Sequence, residues 1–131
     1  MILLSANEIY KSYGKKEALV QALRGVSLEI ERGEMAAIMG KSGSGKSTLL
    51  NIMGGLMAMD RGSLTFDGKE LQTSSRKELT LYRRNHVGFV VQYFALIPDL
   101  TVYENVALPL RYQKVPGRKI RQMTREVLER M

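Results

Sequence analysis

Gly40, Gly45, Lys46 and Ser47 satisfy the spacing G-x-x-x-x-G-K-[ST], in full GKSGSGKS over residues 40–47. Each residue type answers a chemical need. Glycines let the backbone curl closely, so that successive N–H groups point inward as an anion nest. A helix starting near Lys46 would aim the positive end of its dipole at the same point. The Lys46 ammonium can reach the outer phosphates of a polyphosphate, and the Ser47 hydroxyl can ligate Mg²⁺. At average composition the four fixed positions coincide by chance roughly once in a few hundred chains of this length. The motif predicts a polyphosphate cradle of the nucleotide-binding kind.

Such a cradle has to be held between a strand and a helix. MAAIMG, residues 35–40, is a short apolar run ended by glycine and reads as a strand buried on both faces. KSTLLNIMGGLM follows, with Leu49, Leu50, Ile52, Met53 and Leu56 at helical spacing and Gly54-Gly55 near the end. Met53, Met57 and Met59 read as core filler, the usual role of methionine at helical spacing. Upstream, ILLSANEIYKSY is strand-like, and GVSLEIERGE alternates Val26, Leu28 and Ile30 on one face before a turn at Arg32-Gly33.

Downstream, GSLTFDGKEL predicts a strand with Leu64 and Phe66 on one face and an Asp67-Gly68 turn. SSRKELTLYRRN predicts a helix capped by Ser74 or Ser75, and HVGFVVQ another buried-type strand. DLTVYENVALPL reads as a helix entered through Asp99 or Thr101, since Thr101 and Glu104 make a capping box. GRKIRQMTREVLERM is an amphipathic helix with Ile120, Met123, Val127 and Leu128 on its apolar side. Strands alternating with helices behind two leading strands predict an α/β fold with an antiparallel portion at the front.

Composition removes several alternatives. Among 131 residues there is no cysteine, which rules out disulfides and thiolate metal sites. The first residues carry no basic region before their short apolar run, so no signal peptide is expected, and no stretch is long and apolar enough to span a bilayer. The formal charge of +7 is uneven: residues 111–131 hold seven basic side chains against Glu126 and Glu129, and the other 110 residues carry only +2. That tail reads as a solvated helix face, without the interleaved aromatics of a nucleic-acid surface.

The interior of the loop narrows the family. GKSGSGKSTLL, followed by GGLMAMDRGSLTFDGKEL with Gly62, Asp67 and Gly68, closely resembles the ATP-binding-cassette (ABC) ATPases. Phe89 to Leu110, with ALRGVSLEIERGEM, looks most like the lipoprotein-release and macrolide-export branch, although Val91 and Ala95 replace a more usual Phe and Asn. The resemblance implies a P-loop NTPase fold. It implies ATP and Mg²⁺ as ligands, bound by Gly40, Lys41, Ser42, Gly43, Ser44, Gly45, Lys46, Ser47 and Thr48. Tyr13, with Tyr10 as a competing candidate, stands where the family stacks an aromatic on adenine, a contact worth roughly 1–3 kcal/mol by analogy with base stacking elsewhere. Gln92 matches a glutamine that ligates Mg²⁺ and water, on a segment facing a membrane permease.

The resemblance reaches only the first half of such a domain, truncated before Walker B. Residues 93–131 contain no signature motif, no apolar strand ending in Asp-Glu and no switch histidine; His86 precedes the Gln92 segment and reads as a solvated helix-end residue. Residues 1–131 are therefore expected to form a partial nucleotide-binding domain with no complete catalytic set, to which Lys46 and Gln92 contribute. Expected partners are a permease, reached through the Gln92 segment, and a second copy in a full-length homodimer at the inner face of the cell membrane, with no nucleic acid. The other readings are a nucleotide-binding module without hydrolysis and a cytosolic ABC protein acting on nucleic acid. Unpaired sheet edges are expected to make the chain melt with weak cooperativity.

Overall fold

A computed structural model describes residues 1–15, 18–93 and 95–131. They fall into two units, Met1–Thr80 and Leu81–Met131. Phe94, inside the Gln92 stretch, lies outside the described residues.

The first unit is built on the two alternating N-terminal segments. They form β1 (Ile2–Tyr13) and β2 (Val20–Glu31), paired antiparallel, and β3 (Arg61–Phe66) pairs with the other edge of β1. Asp67 (φ 49) and Gly68 (φ 76) make the tight turn into β4 (Lys69–Glu70), which gives a four-stranded sheet ordered β2-β1-β3-β4. Leu4, Ala6 and Ile9 of β1, Leu23 of β2 and Leu64 of β3 are buried. The helix α1 (Lys46–Met53) buries Leu49, Ile52 and Met53, while Leu50 and the following Leu56 stay exposed, so its apolar side is narrower than the spacing suggested.

A bulge in β1 changes which side chains share a face. Asn7 pairs with Ser63 and Tyr10 with Arg61, so Glu8 and Ile9 together oppose the single residue Gly62. Glu8 takes φ 51 there, and a Cβ on Gly62 (φ 113) would collide with the carbonyl oxygens of Asn7 and Glu8. Before the bulge the even-numbered Leu4 and Ala6 point inward; after it the odd-numbered Ile9 does. Tyr13 keeps the parity of Ile9.

Two expected strands are absent. Residues 35–40 and 87–91 are irregular, with Met35 98%, Met39 89% and Val90 98% exposed. A strand buried on both faces exists only through ladders to neighbours, which satisfy its N–H and C=O groups. Among the described residues no strand pairs with either segment. The expected alternation of strands and helices in the second half is replaced by three helices after β4: α2 (Arg76–His86), α3 (Val102–Tyr112) and α4 (Gly117–Glu129).

The starts of α2 and α3 follow capping chemistry. Ser75, rather than Ser74, caps α2: the Glu78 N–H donates to Ser75 Oγ at 3.3 Å, and the Ser75 N–H to Glu78 Oε2 at 2.8 Å. Thr101, rather than Asp99, caps α3 with the same reciprocal pair to Glu104. In the second unit α4 carries half-buried Ile120, fully buried Thr124 and half-buried Leu128 four residues apart, whereas Met123 and Val127 are exposed. The inward stripe is thus one ridge of i, i+4 neighbours with a hydroxyl at its centre, not the broader apolar side expected.

Candidate functional site

The segment Gly40–Lys46 closes on itself through its own lysine. Lys46 Nζ donates to the carbonyl oxygens of Gly40 at 2.8 Å and Lys41 at 2.6 Å, and lies 3.3 Å from Ser44 Oγ. One ammonium thereby ties the two ends of the loop together and brings a full positive charge to it. The loop enters α1 through Gly45 at φ 92, where any Cβ would strike the Ala22 carbonyl and the Leu23 side chain. Glycine is required there both for backbone conformation and for close seating on β2.

The start of α1 is electrostatically bare. Gly45 supplies no side-chain cap, and no acidic residue stands in the first turn. The first-turn N–H groups of a helix have no intrahelical acceptors, and the dipole adds positive potential at that end. Lys41, Ser42, Gly43, Ser44 and Ser47 are exposed around this point, with Gly45, Lys46 and Thr48 half-buried. An ammonium, several hydroxyls and a helix start with no acidic residue in its first turn make this a candidate site for a polyanion. Hydroxyl oxygens such as that of the exposed Ser47 are of the type that ligates hard divalent cations. Among the described residues no group of three or more His, Asp or Glu side chains could hold a metal by itself.

Tyr13 reaches the start of α1, whereas Tyr10 has other partners. The Tyr13 hydroxyl lies 3.1 Å from Thr48 Oγ1 in the first turn of α1, and donates to Met57 Sδ at 2.9 Å. Met57, expected as filler, is thus an acceptor for the phenol. Tyr10 is engaged elsewhere: its hydroxyl donates to Glu8 Oε2 at 3.2 Å, and the Arg61 guanidinium lies 5.4 Å from its ring centroid. The exposed Tyr13 ring therefore stands beside the loop with its hydroxyl end anchored.

Gln92 belongs to the second unit, exposed in a bend after the irregular segment 87–91. His86 closes α2, exposed, with its ring 6.2 Å from that of Tyr82. Asp60 escaped the sequence reading. It stands just before β3, and its carboxylate accepts from the Ser12 N–H at 2.6 Å and from Lys11 Nζ at 2.8 Å. The Lys11 hydrogen bond and then the Ser12 N–H hold its carboxyl below the usual carboxylate range. An aspartate beside a turn gives no local sign of a partner 48 residues away.

A family model described as ABC transporter matches residues 23–131. The chain belongs to the ABC transporter family. Among similar proteins in this family, a bacitracin export ATP-binding protein, BceA, of Halalkalibacterium halodurans is 42% identical over 116 residues, which cover 88% of this chain and 46% of that protein. A lipoprotein-releasing system ATP-binding protein, LolD, of Bacteroides fragilis is 41% identical over 123 residues, 94% of this chain and 55% of that protein. A solved dimeric ATP-binding cassette, MJ0796, bound to ADP and Pi in a post-hydrolysis state, matches with TM-score 0.89 and 40% identity over 97% of this chain and 56% of that one. The chain has the ABC ATPase fold and spans about half the length of the curated relatives it matches. The loop, the helix α1 and Tyr13 stand in the first unit of this ABC transporter chain, and Gln92 in the second.

Proposed function

We propose that the chain is part of the ATP-binding subunit of an ABC transporter and binds MgATP through residues 40–48. The observation that carries this reading is the loop closed by Lys46 over an uncapped, carboxylate-free helix start, with the Tyr13 ring anchored to that same helix. The backbone N–H groups of the loop, apart from that of Ser44, which donates to the Lys41 carbonyl at 3.2 Å, are proposed to hold the phosphates together with the Lys46 ammonium, and the Tyr13 face to take the adenine. Ser47 and Gln92 are the residues proposed to hold Mg²⁺, which would supply charge neutralisation at the phosphates. Membership of a family whose similar members are export and lipoprotein-release ATP-binding proteins supports coupling to a membrane permease. The Gln92 segment is the proposed contact, and a homodimer the proposed assembly, at the inner face of the cell membrane. Among the described residues no helix is long and apolar enough to cross a membrane.

Residues 1–131 make up about the first half of the proposed nucleotide-binding domain. Lys46 and Gln92 are proposed to hold charge and position, but among the described residues none is proposed as a catalytic carboxylate that orients the attacking water. The chain by itself is expected to bind MgATP and to turn it over at or near background. Equilibrium binding and phosphate release on the same preparation test both statements. Lys46→Ala should weaken MgATP binding roughly ten- to a hundredfold, the range for losing a charge-assisted contact. Unchanged affinity would refute the loop assignment. Turnover clearly above buffer background and abolished by Lys46→Ala would refute the hydrolysis statement.

A further inference from the structure

The ladder between β1 and β3 ends at the pair Tyr10–Arg61, three residues short of Tyr13. On that edge the Tyr10 carbonyl and the Ser12 N–H point the same way, as alternate groups of a strand do. Both are met by Asp60. Its main-chain N–H donates to the Tyr10 carbonyl at 2.9 Å, and its Oδ2 accepts from the Ser12 N–H at 2.6 Å. Backbone and side chain of one residue thus imitate the next rung of the ladder. The other carboxylate oxygen, Oδ1, holds Lys11 Nζ at 2.8 Å, on a side chain only 16% exposed. Three successive residues, Tyr10 to Ser12, are tied to Asp60 immediately before Tyr13.

We propose that Asp60 is a positioning residue for Tyr13, fixing the end of β1 so that the ring stands over the start of α1 as a nucleobase platform. This rests on the reading of Tyr13 as that platform. The phenol itself is anchored at its far end by Thr48 and Met57. A ring held by its hydroxyl needs its Cα held as well if its face is to keep one direction. Asp60 does this through the neighbouring amide and stands close in sequence to Met57, so the connection between α1 and β3 grips the tyrosine at both ends. The hydrogen bonds of Asp60 go to Tyr10, Lys11 and Ser12, not to the loop, so its effect should be confined to the base.

The test compares two probes, MgATP and magnesium inorganic tripolyphosphate, in equilibrium binding to the chain. Tyr13→Ala should lower ATP affinity about tenfold and leave tripolyphosphate within about twofold. Asp60→Ala should lower ATP affinity roughly three- to tenfold with the same indifference to tripolyphosphate, and the double variant should bind ATP no more weakly than Tyr13→Ala. Asp60→Asn keeps an acceptor for the Ser12 N–H and should recover most of the loss. Should Asp60→Ala lose its far-ultraviolet circular dichroism, the comparison passes to Asp60→Asn, which should show the same ATP-selective pattern in smaller measure. Equal loss for both probes, no loss for ATP, or a loss that multiplies with that of Tyr13→Ala overturns the proposal. A Tyr13→Ala protein with an unchanged ratio of the two affinities overturns the platform reading, and the Asp60 proposal with it. A lowered ratio in Tyr13→Ala alone overturns only the role of Asp60.

Discussion

Lys46 and Tyr13 illustrate how single side chains here are read through what they touch. The lysine is engaged by three loop oxygens, so its charge stays with the loop rather than on a mobile tether. The tyrosine is exposed yet anchored, the arrangement of a flat surface offered outward. Gly62 has a different claim. It matches the family pattern, but the physical need is the bulge at Glu8, whose carbonyl leaves no room for a Cβ. Gly62→Ala should destabilise the first unit by more than about 2 kcal/mol, combining a positive-φ penalty with a backbone collision. Chemical denaturation followed by far-ultraviolet circular dichroism would show it, and a change within about 0.5 kcal/mol would refute the collision.

Helix α2 shows how a short polar sequence secures its own beginning. The Glu78 carboxylate accepts from Lys69 Nζ at 2.9 Å, from the Ser75 N–H at 2.8 Å and from the Ser75 hydroxyl at 2.9 Å. These contacts, the Lys69 hydrogen bond first, hold its carboxyl at about 2, below the ordinary 4.5. A carboxyl depressed in the folded state stabilises when ionised. Its contribution is therefore complete above the unfolded value near 4.5 and fades as the pH falls from there through about 2. The stability difference between the protein and its Glu78→Gln variant should shrink steadily from pH 5.5 towards pH 2. A difference that stays constant over that range would show that the carboxylate charge does not hold the cap. The three helices α2, α3 and α4 otherwise differ in how they start: two open on Ser or Thr boxes, and α4 opens after Pro116 with no side-chain cap.

The chain as a whole combines a well-packed antiparallel unit with two apolar segments that make no sheet. Met35, Met39 and Val90 are almost fully exposed, and apolar surface of this kind adds nothing to a cooperative core. The two units are each expected to unfold on their own terms. Calorimetry of the chain should give a broad transition whose van't Hoff enthalpy falls below the calorimetric one. A single sharp transition with equal enthalpies would contradict this.

Much of the candidate site is legible in the sequence, for a physical reason. A phosphate loop is a run of consecutive residues whose geometry depends on glycine, lysine and hydroxyl types at fixed offsets, so GKSGSGKS stands out as a candidate. The Asp67-Gly68 turn and the Thr101–Glu104 box are local in the same sense, and both formed as read. The segments 35–40 and 87–91 carry equally strong apolar runs, yet strand formation depends on a neighbour that no local pattern contains. The bulge at Glu8 also lies beyond periodicity: it resets the alternation of β1 and turns Tyr13 to the side of α1, where simple alternation from Leu4 would have placed it opposite. Asp60 and Met57 entered the site for the same reason. Their partners lie 44 to 49 residues away in sequence, and only the packing of β1 beside β3 and α1 brings them within hydrogen-bonding distance.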